Sequence, residues 1–317
     1  MTNQASSLAY PGDMTTDVDE HVALVALLRT LGRGERWASV TERVLEQGSA
    51  VTVWEDKTDQ MLVPDAALSS AYEQAAADVK AWQDAGHVMV GILDPNYPAR
   101  LREIHQAPPL LFAVGQLRAN DRAIAIVGSR KASDRGLKIA STIADALARQ
   151  GVTVLSGLAA GIDAAAHTAA LAISGRTVAI IGTGITKQYP AANRALQQQI
   201  MERGLVLSQF WPDAPPQPQN FLMRNAVMSG YGLATVVVEA SEHSGARAQA
   251  RMAVEHGRPV ILTNLVVDVN EWAKALVGRP GVYVAHGHDE ALEHIATVLD
   301  KENQVSRLLD DLVGTTL

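Results

Sequence analysis

At 317 residues the chain is long enough for two domains of roughly 100–200 residues each, and with 47% apolar and 19% charged residues it has the composition of a packed protein rather than a disordered one. It contains no cysteine, which excludes a disulfide framework, thiolate zinc and iron–sulfur sites and a cysteine nucleophile together; with no secretory leader and no run of about 18 apolar residues, a cytoplasmic protein without a membrane partner is expected. The net charge of −7 is unevenly placed, with 14 Lys and Arg against 9 Asp and Glu over residues 121–260 and 13 against 25 elsewhere, a pattern that suits a phosphate-binding middle and an unevenly solvated surface equally well.

The first twenty residues are polar and read as a frayed start. From Glu20 to about Gly48, the apolar residues Val22, Leu24, Val25, Leu27 and Leu28, then Val40, Val44 and Leu45, recur at helical spacing around a Gly32-Arg33-Gly34 break, which predicts two short helices. A third helix is expected from about Pro64 to Asp84, with Leu68, Tyr72, Ala75 and Val79 on one stripe. The next stretch carries prolines at 95, 98, 108 and 109, which forbid a long regular element. A boundary near Arg118 to Arg122 then divides residues 1–118, a helical domain with a proline-rich lead-in, from residues 119–317.

From Ala123 the pattern changes. Short β-branched runs at 123–127, 152–155, 177–181, 205–207, 234–238 and 259–262 alternate with helix-like stretches from Asp134 to Gln150, Gly161 to Ser174, Ala191 to Arg203 and Ala246 to His256. Continuous apolar strands alternating with helices signal a sheet covered on both faces. The expected fold is α/β, a Rossmann-like, doubly wound, mostly parallel sheet preceded by a small helical N-terminal domain. One more strand, VYVA, and a helix from His288 to about Leu299 complete it.

Ligands of such sheets bind at the carboxyl ends of the strands, where turns aim backbone N–H groups at the ligand. In the first turn Gly128 permits a tight exit, Ser129 offers a hydroxyl, and Arg130 and Lys131 place cations beside the positive end of the following helix. The second turn has Gly157 and Gly161 for close backbone approach, with Asp163 either capping its helix or meeting a ligand hydroxyl, and His167 more readily packed than a base. Neither turn matches GxGxxG or a Walker motif, so a dinucleotide or Walker-type nucleotide site is not supported; no cofactor and no metal are expected. The third turn, with Gly182 and Gly184, brings Lys187, Tyr189, Asn193 and Arg194 toward the same edge, where Tyr189 stacks on a base or packs on the sheet. Arg224 and Asn225 precede the fifth run, Arg224 within reach of phosphate and Asn225 equally able to hold the loop; Gly245 opens the helix after that run.

The segments AIVGSRKAS, VLSGLAAGIDAAAH, GTGITKQYPAANRAL, LSQF, FLMRN and VVVEASEHSG, in this order from about Ala125 to Pro259, resemble the DNA-processing protein A family, also called DprA or Smf. The lead-in LDPNYPARLREIHQAPPLLFAVGQL is similar as well, the helical start only weakly so. The resemblance implies a protein that binds single-stranded DNA, pairs as a homodimer and hands the strand to a RecA-type recombinase, with no catalytic residue. It assigns a DNA backbone contact to Arg130 and groove-lining roles to Asn193, Arg194, Arg224 and Asn225, beside Ser129, Lys131 and Lys187 from the turns themselves.

Three departures point to a specialised member. Ala160 stands where the family has an arginine or other polar residue, ARAQARMAVEHG replaces the usual run in the helix implicated in pairing, and the C-terminal winged helix of many members is not expected here. The specialisation expected is in phage defence, and the alternative is an antitoxin or regulatory protein that binds an effector encoded in a defence or toxin–antitoxin operon. A nucleotide phosphoribohydrolase-like enzyme is a second, but its PGGxGTxxE segment has no counterpart in EASEHSGARAQA, which leaves acid–base chemistry without an agent.

Overall fold

A computed structural model describes residues 14–59 and 66–314; the expected frayed start before residue 14, and Pro64 at the expected start of the third helix, lie outside the described residues. The chain begins with α1 (Met14–Arg29), α2 (Trp37–Gln47), α3 (Ala50–Asp59) and α4 (Ala66–Asp84). Helix α3 was not legible as one because AVTVWEDKTD is rich in β-branched residues, whose helix propensity is low. Packing overrides that preference. Ala50, Val53 and Trp54 form a buried i, i+3, i+4 stripe, and Glu20 of α1 caps the helix start by accepting from Ala50 N (2.6 Å) and Ser49 Oγ (2.5 Å).

Next come β1 (Val88–Gly91) and β2 (Leu110–Gly115), separated by a 3-10 turn at residues 99–103. The alternating region follows as β3 (Ala123–Gly128), α5 (Asp134–Arg149), β4 (Thr153–Ser156), α6 (Ile162–Ala172), β5 (Thr177–Ile180), α7 (Arg194–Arg203), β6 (Leu205–Ser208), α8 (Pro218–Tyr231), β7 (Ala234–Glu239), α9 (Gly245–Glu255) and β8 (Val260–Thr263). Two short helices, α10 (Asn264–Val267) and α11 (Glu271–Lys274), lead to β9 (Val282–Ala285) and α12 (His288–Gly314). The last helix starts where expected but runs past Leu299, held by Ala291, Ile295 and Val298 in the core and by a 2.6 Å ion pair from Glu302 to Arg100.

The nine strands among the described residues form one sheet in the order β1-β2-β6-β5-β4-β3-β7-β8-β9. Strands β3 to β9 pair in parallel, whereas β1 and β2 add antiparallel to the β6 edge. This is the Rossmann-like, mostly parallel sheet read from the run pattern. The proline-rich lead-in, grouped there with the helical part, supplies the two edge strands, so the sheet continues across the Arg118 to Arg122 junction. Aromatic contacts join the helical part to it. The Trp82 ring lies 5.1 Å from Phe112 of β2 and 5.7 Å from Trp211, Trp37 meets Trp211 at 5.5 Å, and the Arg29 guanidinium sits 5.4 Å above Trp211.

At the amino ends of the strands, the buried Asp121 carboxylate accepts from Thr153 Oγ1 (2.5 Å), Arg176 Nε (2.9 Å) and Nη2 (2.7 Å), and Tyr231 OH (2.8 Å). One side chain thus ties β3, β4, β5 and α8 together. Burial, and then the Asp121 charge, push the Tyr231 phenol well above its ordinary value, so it stays a donor. No helix among the described residues is long and apolar enough to cross a membrane.

Candidate nucleic-acid interface

The chain leaves β3 toward β4, β5 and β6 on one side and returns to β7 on the other, so the strand order reverses at β3 and β7. Crevices of doubly wound sheets open at such a point, beyond the carboxyl ends of the strands. A cleft of about 1020 Å³ opens there, with Gly128, Ser129, Arg130 and Lys131 in one wall and Phe221, Arg224 and Asn225 in another.

Gly128 is required by packing: a Cβ would meet Ile162 Cγ1 at 2.6 Å and the Glu239 carbonyl at 2.7 Å. Ser129 N donates to that carbonyl (2.7 Å), and Ser129 Oγ accepts from Lys131 N (3.1 Å), which leaves Arg130 and Lys131 exposed at the mouth of the cleft. One expectation needs correction. The positive end of α5 is not open to a ligand anion, because Ser133 Oγ caps it by accepting from Gly136 N (3.1 Å), and the Glu239 carboxylate takes Ser133 N (3.1 Å) and Oγ (2.6 Å). Glu239 closes β7, and its role was invisible in sequence because its partners lie 106 residues away.

The glycines of the second turn are required by packing. Gly161, at φ 78°, lies against the Ser129 carbonyl, and a Cβ on Gly157 would overlap the Arg224 guanidinium. Asp163 is buried and holds its own turn, accepting from Gly157 N (3.1 Å) and Ala159 N (3.3 Å). Burial pushes its carboxyl up from the ordinary value, opposed by the Arg224 guanidinium and these amides.

His167 is fully buried with Nδ1 2.7 Å from Thr177 Oγ1. The Thr177 hydroxyl donates to the Val154 carbonyl (2.8 Å), so the ring nitrogen is the donor in that pair. Burial, then the Arg224 charge, lower its pKa to about 3, and the imidazole is neutral at physiological pH. A histidine with a depressed folded pKa contributes stability that is whole above its unfolded value of 6.5 and is lost as pH falls toward about 3, by at most about 1.4 kcal/mol per pH unit for the one proton. His256, lowered to about 4 by burial and the nearby His105 and Arg258, adds to the same trend. Urea unfolding between pH 7 and 4.5 is therefore expected to be shallower in pH for His167→Phe than for the natural protein; an unchanged slope would place the titration elsewhere.

In the third turn, Gly184 is wedged against the carbonyls of Trp211 and Pro212, and a Cβ on Gly182 would meet the Phe221 ring at 2.6 Å. Asn193 Nδ2 donates to the Leu158 carbonyl (2.9 Å), tying the third turn to the second. The half-buried Lys187 and exposed Arg194 sit on the flank by α7. Lys187, Asn193, Arg194, Gly161 and Gly184 thus do not line the cleft, whereas the exposed Tyr189 does.

Helix α8, with Pro218 in its first turn, projects Phe221 into the cleft and turns Arg224, three residues on, into its floor. Arg224 is 6% exposed and its Nη1 donates to the Ile180 carbonyl (2.9 Å). Burial lowers its pKa and Asp163 raises it; the guanidinium remains charged. Asn225 Nδ2 donates to the Gly245 carbonyl (3.3 Å), so Asn225 holds the loop, and Gly245 joins the cleft wall. Phe221 was not singled out from sequence. The Arg130 guanidinium lies 5.7 Å above its ring, and the Tyr189 ring lies 5.6 Å from it at a tilt of 42°. Its position one helical turn before a groove arginine was the available signal.

Comparison with known proteins agrees with this geometry. Residues 88–309 match the family described as DNA recombination-mediator protein A. Protein Smf of Synechocystis is 38% identical over 217 residues, 67% of this chain and 51% of its own length. DNA processing protein DprA of Streptococcus pneumoniae is 38% identical over 205 residues, 64% of this chain and 72% of its own length. The chain therefore spans about half of the first relative and nearly three quarters of the second. The X-ray structure of DprA from Streptococcus pneumoniae superposes with a TM-score of 0.68 at 28% identity, over 87% of this chain and 95% of that one. DNA processing protein A from Helicobacter pylori, solved for its single-stranded DNA binding mode, shares the fold at a TM-score of 0.59 and 23% identity over 68% of this chain and 96% of its own. With the family match extending from β1 into α12 and through every turn that builds the cleft, this chain belongs to the DNA recombination-mediator protein A family, DprA/Smf.

Proposed function

We propose that the protein binds single-stranded DNA along the cleft beyond β3 and β7 and acts as a DNA-processing and recombination mediator, by binding rather than catalysis. The observation that carries this reading is the Arg130 guanidinium over Phe221, with Lys131 at the mouth and Arg224 in the floor of the same cleft. Cations beside accessible aromatic faces suit a flexible polyanion whose bases are unstacked, since only a single strand offers phosphates and base faces together. The Helicobacter pylori relative, described by its binding of single-stranded DNA, supports the reading by kinship. The two groups that acid–base chemistry would draw on, Asp163 and His167, are buried and engaged in structural hydrogen bonds. Homodimer formation and delivery of the strand to a RecA-type recombinase are carried over from the family as part of the proposal, and phage defence or an operon-encoded effector would be a context for the same binding.

The test is fluorescence anisotropy with an oligothymidine of about 20 nucleotides over roughly 50–200 mM salt. Log K is expected to fall with log[salt] by about 0.7 per phosphate contact, hence by roughly 1.4–2 for two or three contacts. Binding that ignores salt, or that favours a duplex of equal length, would remove the reading.

A further inference from the structure

Beside the main cleft, and sharing Arg130, Phe221 and Arg224 with it, lies a smaller pocket of about 80 Å³ that reaches Gly157, Ala160, Gly182 and Thr183. By the same measure one water takes about 10–15 Å³, so the pocket holds a compact group and not a continuing strand. Two guanidiniums border it. Among the described residues Arg224 is 6% exposed, its Nε has no hydrogen-bond partner, and Asp163, the carboxylate that offsets part of its charge, also accepts from Gly157 N and Ala159 N. The lining includes no carboxylate or carboxamide, and Thr183 adds a hydroxyl. Glycine at 157 and 182 lets Arg224 and Phe221 lie directly against these turns and so border the pocket, since a Cβ at either position would run into one of them.

A buried cation without full compensation is costly unless an anion meets it. An internal phosphodiester brings one negative charge and two chain continuations, which belong in the open cleft. A phosphate monoester has a second ionisation near pH 6, carries close to two charges at pH 7, and ends the chain. We propose that this side pocket takes a phosphate monoester dianion, the terminal phosphate of a DNA strand, with Arg130 and Arg224 as its charge partners and Thr183 as a neutral donor. The proposal deepens the reading of the cleft above and rests on it for the strand; the same chemistry is also presented by a free nucleoside monophosphate.

Four ligands separate these cases: one oligothymidine with a 5′-phosphate, with a 3′-phosphate, or with hydroxyl ends, and thymidine 5′-monophosphate as competitor. At pH 7.5 a phosphate-ended strand is expected to bind about tenfold more tightly than the hydroxyl-ended one, and the advantage is expected to shrink below about pH 6 as the monoester becomes a monoanion. The charged and titratable groups facing the pocket and its mouth are Arg130 and Lys131 after β3, Asp163 on α6, Tyr189, Arg224 on α8 and His243 across the main cleft. His243→Gln is therefore the control, and loss of the pH dependence in that variant would assign it to the protein and overturn the dianion. Because replacing Arg224 endangers folding, the pocket is tested with Ala160→Leu, which fills it from a position outside the main cleft. That variant is expected to abolish the phosphate advantage while keeping the affinity and salt slope for the hydroxyl-ended strand. Competition by the monophosphate alone, with the same pH dependence and loss in Ala160→Leu, also supports the site and identifies a free nucleotide as the source. Equal binding of all three strands together with no competition overturns it. Failure to bind the hydroxyl-ended strand at low salt sinks the single-strand reading instead, leaving the monophosphate as the measure of the pocket.

Discussion

Arg130→Ala is expected to weaken oligothymidine binding by roughly 10- to 100-fold and to reduce the salt slope by about 0.7. The residue is exposed on the turn after β3, with its guanidinium 5.7 Å from the centre of the Phe221 ring, and makes no ion pair among the described residues, so its removal subtracts one phosphate partner without disturbing the fold. The magnitude follows from a charge-assisted contact worth about 1.5–3 kcal/mol, and the slope from one counterion fewer released. Arg130→Lys separates the two parts of the interaction. A lysine keeps the charge and hence the slope, but it does not lie flat on an aromatic ring or offer a planar fork, so part of the affinity is expected to be lost. An unchanged affinity and slope in Arg130→Ala would take this turn out of the interface, and with it the assignment of the cleft.

Asp121→Ala is expected to cost about 3–5 kcal/mol of unfolding free energy, read from urea denaturation. The carboxylate is almost wholly buried and serves Arg176, Tyr231 and Thr153 at once, so removing it leaves a largely buried guanidinium and a buried phenol without their partner. Asp121→Asn keeps an acceptor oxygen but turns an NH₂ toward the same donors, and an intermediate loss is expected. Asp121 lies at the amino ends of the strands and the cleft at their carboxyl ends, so the folded fraction of either variant is expected to bind DNA with unchanged affinity. A loss below about 1 kcal/mol would show that Asp121 is replaceable, as an exposed ion pair is.

Much of this architecture can be read locally. A strand buried on both faces reads as a predominantly apolar run, and β3 to β8 follow the six runs within a residue or two at either end; the few polar residues in them, such as Thr153 and Thr177, are small and hydrogen-bonded. The turns are legible for the same reason: Gly128 stands where a side chain would collide with Ile162, and no other residue meets that demand. Helix α3 was not legible, since its stability comes from Glu20 and from packing on α1 rather than from its own residues. Nor was the attachment of β1 and β2, whose partner β6 lies some ninety residues further on.

The site divides along the same line. The order of the motifs and the chemical types at each turn are properties of the chain itself, and they determined by themselves the fold class, the family and the rim on which to look. Which cations meet is a property of docking. Arg130 and Arg224 share a cleft because α8 lies across the strand ends and sends one side chain inward, while Arg194, equally basic in sequence, stays on the flank of α7 and Glu239 reaches over to occupy the helix end that seemed free. Periodicity encodes which face of a helix is apolar; where that face comes to rest depends on contacts between residues far apart in the chain, and only the tertiary structure decides them.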